Sequence, residues 1–404
     1  MRVERIHAGH ILGMGGLLAP VLGVFGPKLI APLAMLVVLG LVGHRAWRRE
    51  PFAPIDRRFA AILGFIVAWS ALSLVWVIDP ADGVRKWALV FLAVLPVLAA
   101  FAIAKDLAPA ERRVAQTGIL AGIGAGFSLI IVEVATGGFF SSFVFPEATF
   151  TVELFNRSPS VLLIFIWPAI AILLPRSRWL ALALMVVGIG LGKILPSEAA
   201  LGAYAIGIAV FAATWFFARA TRIIVTVILL TGIMASPVMT STVMSPNMVR
   251  EMMPEVNPSL LHRLQIWDFT SQHIAERPFL GWGIHSARTI PGGQERYLVK
   301  NSAGVVIGQG DRLPLHPHNG ALQVWLELGL PGALAFAFLL ALMVWQAGGI
   351  ADRGRRAAGL AMLSTMVPIW LFSFGIWQGW WLSALILAGV LMTVTPPQTE
   401  PAGT

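Results

Sequence analysis

LHPHNGALQVWLELGLPGALAFAFLLALMVW, residues 315–345, decides the fold class. It opens on a polar patch, His316, His318 and Asn319, and then runs apolar to Trp345 with a single charged residue, Glu327. A run of that length and composition is a transmembrane helix. Similar runs recur at about 10–25, 28–44, 58–78, 86–104, 115–135, 158–175, 178–195, 198–217, 221–237, 319–345, 357–375 and 378–395. The chain is 57% hydrophobic and 12% charged, against about 25% charged in soluble domains. The expectation is an all-α polytopic membrane protein, with residues 1–404 forming one integral membrane domain of about twelve transmembrane helices.

An even number of spans puts both termini on one side. With that side inside, seventeen of the 29 Lys and Arg fall in short inner loops: Arg2–Arg5, Arg45–Arg58, Lys105–Arg113, Arg176–Arg178, Arg219–Arg222 and Arg353–Arg356. The positive-inside rule therefore places both termini in the cytoplasm and explains the net charge of +9 without nucleic acid. Cysteine is absent, which removes disulfides and thiolate metal sites. The first apolar run lacks a small-residue cleavage site and leads into further spans, so no cleavable signal is expected. No 20–50-residue repeat stands out. The proline-containing tail 396–404 is expected to be disordered.

One long loop, residues 238–316 between spans nine and ten, then faces outward, which in a bacterium is the periplasm. Asn257-Pro258 is a helix start, with an Asn cap and Pro at the first helical position. Leu260, Leu264, Trp267 and Ile274 follow at helical spacing, and Pro278, Gly281 and Gly283 end the run. The loop thus contains an amphipathic helix of about four turns. On periodicity alone it lies at the lipid interface, with Arg263 snorkelling and Trp267 anchoring on one shared side. Arg85 and Lys86 open the fourth span and Arg157 the sixth. Each is individually placed to snorkel. With Arg263 and Arg288 they would form an anion site at the outer face, since arginine can grip a phosphate through two parallel hydrogen bonds.

These residues carry a resemblance. Arg263 followed four residues on by Trp267, then ERPFLGWG (276–283), then a histidine opening the next span, looks like the O-antigen ligase and polymerase superfamily. The ligase branch carries His-(Asn/Ser/Gln), nine residues, Gly-x-x-Gly, matched here by His318-Asn319 and Gly329-Leu330-Pro331-Gly332. A Ser-Arg pair often found at the outer start of the eighth span is missing. That place reads GKILPSEAALG, with Lys193 as the nearest cation, and no catalytic role is carried onto Glu198. The resemblance implies a GT-C-like glycosyltransferase of the inner membrane. It would transfer a glycan from undecaprenyl diphosphate to a sugar hydroxyl of the lipid A core at the periplasmic face, with inversion and without metal or other cofactor.

Elementary chemistry agrees with that implication. Displacement with inversion needs a base on the acceptor hydroxyl and stabilisation of a departing diphosphate. A neutral His318 suits the first task, and nearby arginines would keep it neutral while stabilising the leaving group. A helix beginning near Asn319 adds partial positive charge. On a straight helix Gly329 lies about three turns below His318, on one face with Trp325. That face could form a groove for a polyprenyl chain. Equally, the glycines and Pro331 could serve close helix packing and a kink. Glu327 falls half a turn out of phase with His318, and the sequence names no partner for it. His316 could belong to a His-x-His metal site together with His262, His273 or His285, but no acidic pair occupies the first outer loop, and no metal is expected.

Two other functions compete. A polymerase would use the same donor with a second lipid-linked glycan as acceptor. A transporter or flippase would place charges near the bilayer midplane and break helices in matching halves, whereas the unusual charges here gather at one face.

Overall fold

The computed structural model describes residues 7–52, 54–147, 149–252, 258–300 and 305–395. It is almost entirely helical: α1 Ala8–Phe25, α2 Ile30–Trp47, α3 Arg57–Leu72, α4 Pro80–Lys105, α5 Pro109–Thr136, α6 Ser141–Val144, α7 Ser158–Leu173, α8 Arg178–Ile194, α9 Glu198–Ser241, α10 Pro246–Met252, α11 Pro258–Glu276, α12 Gly320–Gly348, α13 Arg353–Phe372 and α14 Gly379–Thr393. One antiparallel hairpin, β1 Arg296–Lys300 and β2 Val306–Asp311, pairs Arg296 with Asp311 and Tyr297 with Gly310. The expected tail 396–404 and the capping residue Asn257 lie outside the described residues.

Helix occupies each of the twelve expected segments, but the expected count of twelve spans is not reproduced. Among the described residues seven helical elements are long and apolar enough to cross a membrane by length and composition. The helices at Ser158–Leu173 and Gly379–Thr393 are apolar but shorter. Expected spans eight and nine fall in the one element α9, which carries a non-helical residue at Phe217 (φ −131°, ψ 48°). Its contacts show the chain doubling back there. Arg353 donates to the Trp215 carbonyl (2.7 Å) and Arg222 stacks on Trp345 (4.0 Å), both at one end of the bundle, while the Ile233 carbonyl accepts from Trp325 near the other end.

Sequence explains the packing. Helix α7 is apolar all round, and every residue from Ser158 to Ile172 is buried. A helix without a polar face must be surrounded, and α1, α5, α8, α13 and α14 surround it. The axes of α1 and α5 approach closely through glycines. A Cβ on Gly118 would lie 2.1 Å from the Gly13 carbonyl oxygen, and one on Gly122 2.1 Å from that of Gly16. Small residues bring membrane helices together in this way.

The described residues of the segment that the sequence assigns to a loop, 238–316, are folded onto one end of the bundle. Helix α11 exists where periodicity predicts it, but its position differs from an interfacial float. Leu261, Leu264, Ile266, Trp267, Phe269 and Ile274 are buried, and the helix packs on α9 and α12. Gln265 donates to the Tyr297 hydroxyl (2.7 Å), tying the hairpin to it.

Candidate functional site

The polar start of α12 is held by a set of committed contacts. Asn319 is the N-cap, its Oδ1 accepting from the Ala321 and Leu322 amides at 3.1 and 3.2 Å. That oxygen is therefore committed to the cap. Trp267, expected to anchor in lipid, is buried and donates through Nε1 to the Pro317 carbonyl (3.0 Å). It braces the turn that carries the histidines. The ring of His316 lies against the Gly375 backbone, where a Cβ would approach it to 3.0 Å. Its Nδ1 accepts from the His318 amide (3.2 Å), so neutral His316 carries its proton on Nε2.

His318 is in the left-handed region, φ 51°. Among the described residues the other non-glycine residues with positive φ are Arg49 and His285 (φ 65°). Such backbone is strained for a side chain with a Cβ and gathers at functional sites. The two imidazoles of His316 and His318 lie 4.3 Å apart. The Nδ1 atom of His318 is buried and has no hydrogen-bond partner among the described residues. Burial, reinforced by the charge of Arg263 and by His262, pulls the pKa of His318 down to about 4. Burial followed by His318, Arg288 and Arg263 pulls His316 down to about 3. Both histidines are therefore neutral near pH 7, and Arg263 and Arg288 flank the pair.

A second group meets the first through Arg288. Nε2 of His285 lies 3.2 Å from the Asp82 carboxylate, which also pairs with Arg85. Burial and the Lys86 charge hold the pKa of His285 near 4 despite Asp82. Sequence reasoning missed this pair. It gathers Arg85, Lys86, Asp82, His285 and Arg288 into one charged rim. Arg157 stands exposed just before α7, with no hydrogen bond to these groups among the described residues. Lys193 is likewise exposed at the end of α8. No group of three or more His, Asp or Glu side chains spaced to hold a metal ion occurs among the described residues.

The two motif glycines have distinct tasks, and the straight-helix expectation is overturned. Helix α12 breaks at Gly329 (φ 62°, ψ −161°). The segment 278–283 plugs into the break. Trp282 and Gly283 amides donate to the Leu326 and Glu327 carbonyls (2.8 and 2.9 Å), the Leu330 amide to the Pro278 carbonyl (2.9 Å), and Trp69 Nε1 to the Leu328 carbonyl (2.8 Å). A Cβ on Gly329 would lie 2.3 Å from the Phe279 carbonyl oxygen. Gly329 is thus a packing glycine rather than the floor of a groove. Gly332 lines a small apolar cavity with Leu328, Phe336 and Trp377.

Glu327 now has partners. It is fully buried and accepts from the His285 amide (2.8 Å), the Ala287 amide, Gln323 Nε2 (3.0 Å) and Trp377 Nε1. It fixes the 283–287 turn beneath Arg288. A carboxylate within a span has to find such partners. That rule was the available signal, and the phase argument hid it.

The O-antigen ligase family model matches residues 163–337, a segment containing α11, His318 and both motif glycines. The chain is 28% identical over 326 residues to a Rickettsia conorii protein named "Putative polysaccharide ligase", covering 80% of this chain and 77% of that one. A protein of the same name from Rickettsia felis is 29% identical over 332 residues, with the same coverages of 80% and 77%. The family model and these relatives together support an O-antigen ligase-type family for this integral membrane protein.

Proposed function

We propose that the chain transfers a glycan from undecaprenyl diphosphate to a sugar hydroxyl of the lipid A core, at the periplasmic face of the bacterial inner membrane. The observation that carries this is His318. It is a neutral imidazole with a buried, unpartnered nitrogen on strained backbone, flanked by Arg263 and reached from Arg288 through His316. A buried polar atom without a partner calls for an explanation, and a ligand hydroxyl supplies one.

His318 accepts the proton of the acceptor hydroxyl as that oxygen attacks the anomeric carbon. The bond from that carbon to the diphosphate oxygen breaks on the opposite face, and the electron pair leaves with the diphosphate. The product has inverted configuration. Arg263 and Arg288 stabilise the charge that grows on the leaving group, the term that usually dominates such catalysis. Lys86 and Arg85 extend the same positive rim. The apolar cavity at Gly332 begins a path for the polyprenyl chain below it.

The test is reconstitution with purified lipid-linked glycan and two acceptors, lipid A core and a second lipid-linked glycan. Transfer to the first alone is expected. Transfer only to the second would make the protein a polymerase. His318→Ala should lower transfer by about 10²–10⁴-fold, the usual contribution of a general base, with insertion unchanged. Normal transfer by that variant removes the base from His318.

A further inference from the structure

The end of the bundle remote from His318 holds a large cavity that the proposed reaction does not use. It has a volume of about 990 Å³ and lies between the far ends of α3, α4, α5, α12, α13 and α14. Leu63, Phe101, Met343, Met362, Met366 and Leu385 line its wall. At its mouth stand Lys105, Arg112, Arg113, Arg176 and Arg355, with Asp56 as the one carboxylate among its lining residues.

These cations have few anionic partners. Asp56 is spent capping α3, through the Arg58 amide (2.9 Å), and accepting from Gln346 Nε2 (2.6 Å). Nearby Asp106 is taken by Arg45, and Glu111 by His7 and the Ala108 amide. Among the described residues Arg112 reaches only the carbonyls of Thr393, Lys105 and Leu107, at 3.3, 3.3 and 3.5 Å. Arg176 donates to the neutral Gln116 Oε1 (2.8 Å). Lys105, Arg112, Arg113 and Arg176 form no salt bridge among the described residues. Other basic residues at this end are disposed differently: Arg222 and Arg353 stack on Trp345 and Trp215, at 4.0 and 4.6 Å.

We propose that this cavity binds one anionic phospholipid, with its headgroup phosphate at Lys105, Arg113 and Arg176 and acyl chain against Phe101, Met362 and Met366. The occupant must be charged at one end and apolar along its length, because the cations ring only the mouth and the wall below is hydrocarbon. A basic pocket between membrane helices recognises an anionic headgroup in this way. A soluble phosphate would leave the wall empty, and a zwitterionic lipid would leave the excess positive charge unmatched.

The test measures retention of phosphatidylglycerol by the purified full-length protein in mild detergent, read by native mass spectrometry. Phosphatidylcholine and inorganic phosphate serve as comparators, and thermal unfolding is followed in parallel. Phosphatidylglycerol should be retained and should raise the unfolding temperature, and neither comparator should do so. Replacing the mouth cations together, Lys105→Gln, Arg113→Gln and Arg176→Gln, should weaken retention by about tenfold or more, since one charge-assisted hydrogen bond alone is worth about that factor. Gly359→Leu fills the cavity while keeping every cation, since its Cβ would meet Ala347 at 3.5 Å and Met392 at 3.8 Å. It should weaken retention equally, and it serves if the triple variant fails to fold. Arg48→Gln, Arg57→Gln and Arg58→Gln together remove three cations from the same end outside the cavity and should change nothing. Equal retention of both lipids would overturn the proposal. So would equal stabilisation by inorganic phosphate, full retention by Gly359→Leu, or the same loss in the Arg48/Arg57/Arg58 variant. Binding is read without any transfer reaction, so this result stands apart from the proposed function.

Discussion

His318 shows what one residue gains from its surroundings. Its sequence context marked it as a candidate base, but only the fold supplies the left-handed backbone and the buried Nδ1, and only the fold brings the burial and the Arg263 charge that keep it unprotonated. In the free enzyme its pKa lies near 4, so kcat/KM should hold down to about that pH and fall below it. Binding a diphosphate anion beside it favours the imidazolium, which raises its pKa. The acid limb of kcat should therefore lie at higher pH than that of kcat/KM, which reports the free enzyme. Arg263→Gln removes a charge that disfavours protonation, so the acid limb of kcat/KM should move upward, with the rate falling about 10²–10³-fold as a leaving-group contact is lost. An acid limb unmoved in that variant would detach Arg263 from His318. The pattern of Arg263, His318 and Arg288 was legible because chemistry constrains residue type. The His285–Asp82 pair was not, because its partners are remote in sequence and meet only when α4 packs beside the 283–287 turn.

At the scale of elements, the break in α12 changes what its motif means. Counting turns on an unbroken helix set Gly329 beneath His318 and left Glu327 pointing away. With Gly329 at φ 62° the helix opens, its carbonyls turn to Trp69, Trp282 and Gly283, and Glu327 grips the turn below Arg288. Spacing therefore located the residues that meet at this joint but not their tasks, since a helical wheel assumes the hydrogen-bond ladder that this motif interrupts. Gly329→Ala would add a Cβ at φ 62°, ψ −161°, a conformation essentially confined to glycine, at a cost of roughly 1–3 kcal/mol, and a 2.3 Å clash with the Phe279 carbonyl. It should lower the unfolding temperature by several degrees in detergent. Gly232→Ala, where nothing lies within 4 Å of the new Cβ, should leave it unchanged or raise it. Equal unfolding temperatures for both variants would mean that the 278–283 segment does not depend on the break. Glu327→Gln tests the same joint. It keeps the size but removes the charge that accepts from two amides and Trp377, and should lower transfer while His318 still titrates as in the parent.

On the scale of the whole molecule, hydropathy made the apolar helices and the basic far end legible, since both follow from what a bilayer excludes, though not the number of spans. It could not show that residues 258–300 and 305–319 form a packed cap, because the apolar face of α11 suits lipid and protein equally well. That cap has a consequence for acid stability. His285, His316 and His318 all lie in it, with pKa values near 4, 3 and 4, and opening the cap returns each towards about 6.5. Between those values the open cap binds more protons than the closed one, so stability rises with pH across this window and levels off above it. The unfolding temperature in detergent should be nearly constant from pH 8 to 7, and then drop steeply from pH 6.5 towards pH 4.5. His285→Gln stays neutral and can still donate to Asp82, so it removes one of the three protons taken up. The drop should become shallower while the plateau changes little. Curves of equal slope for parent and variant would show that the histidines remain buried when the protein unfolds, and that the cap is not the part that opens first.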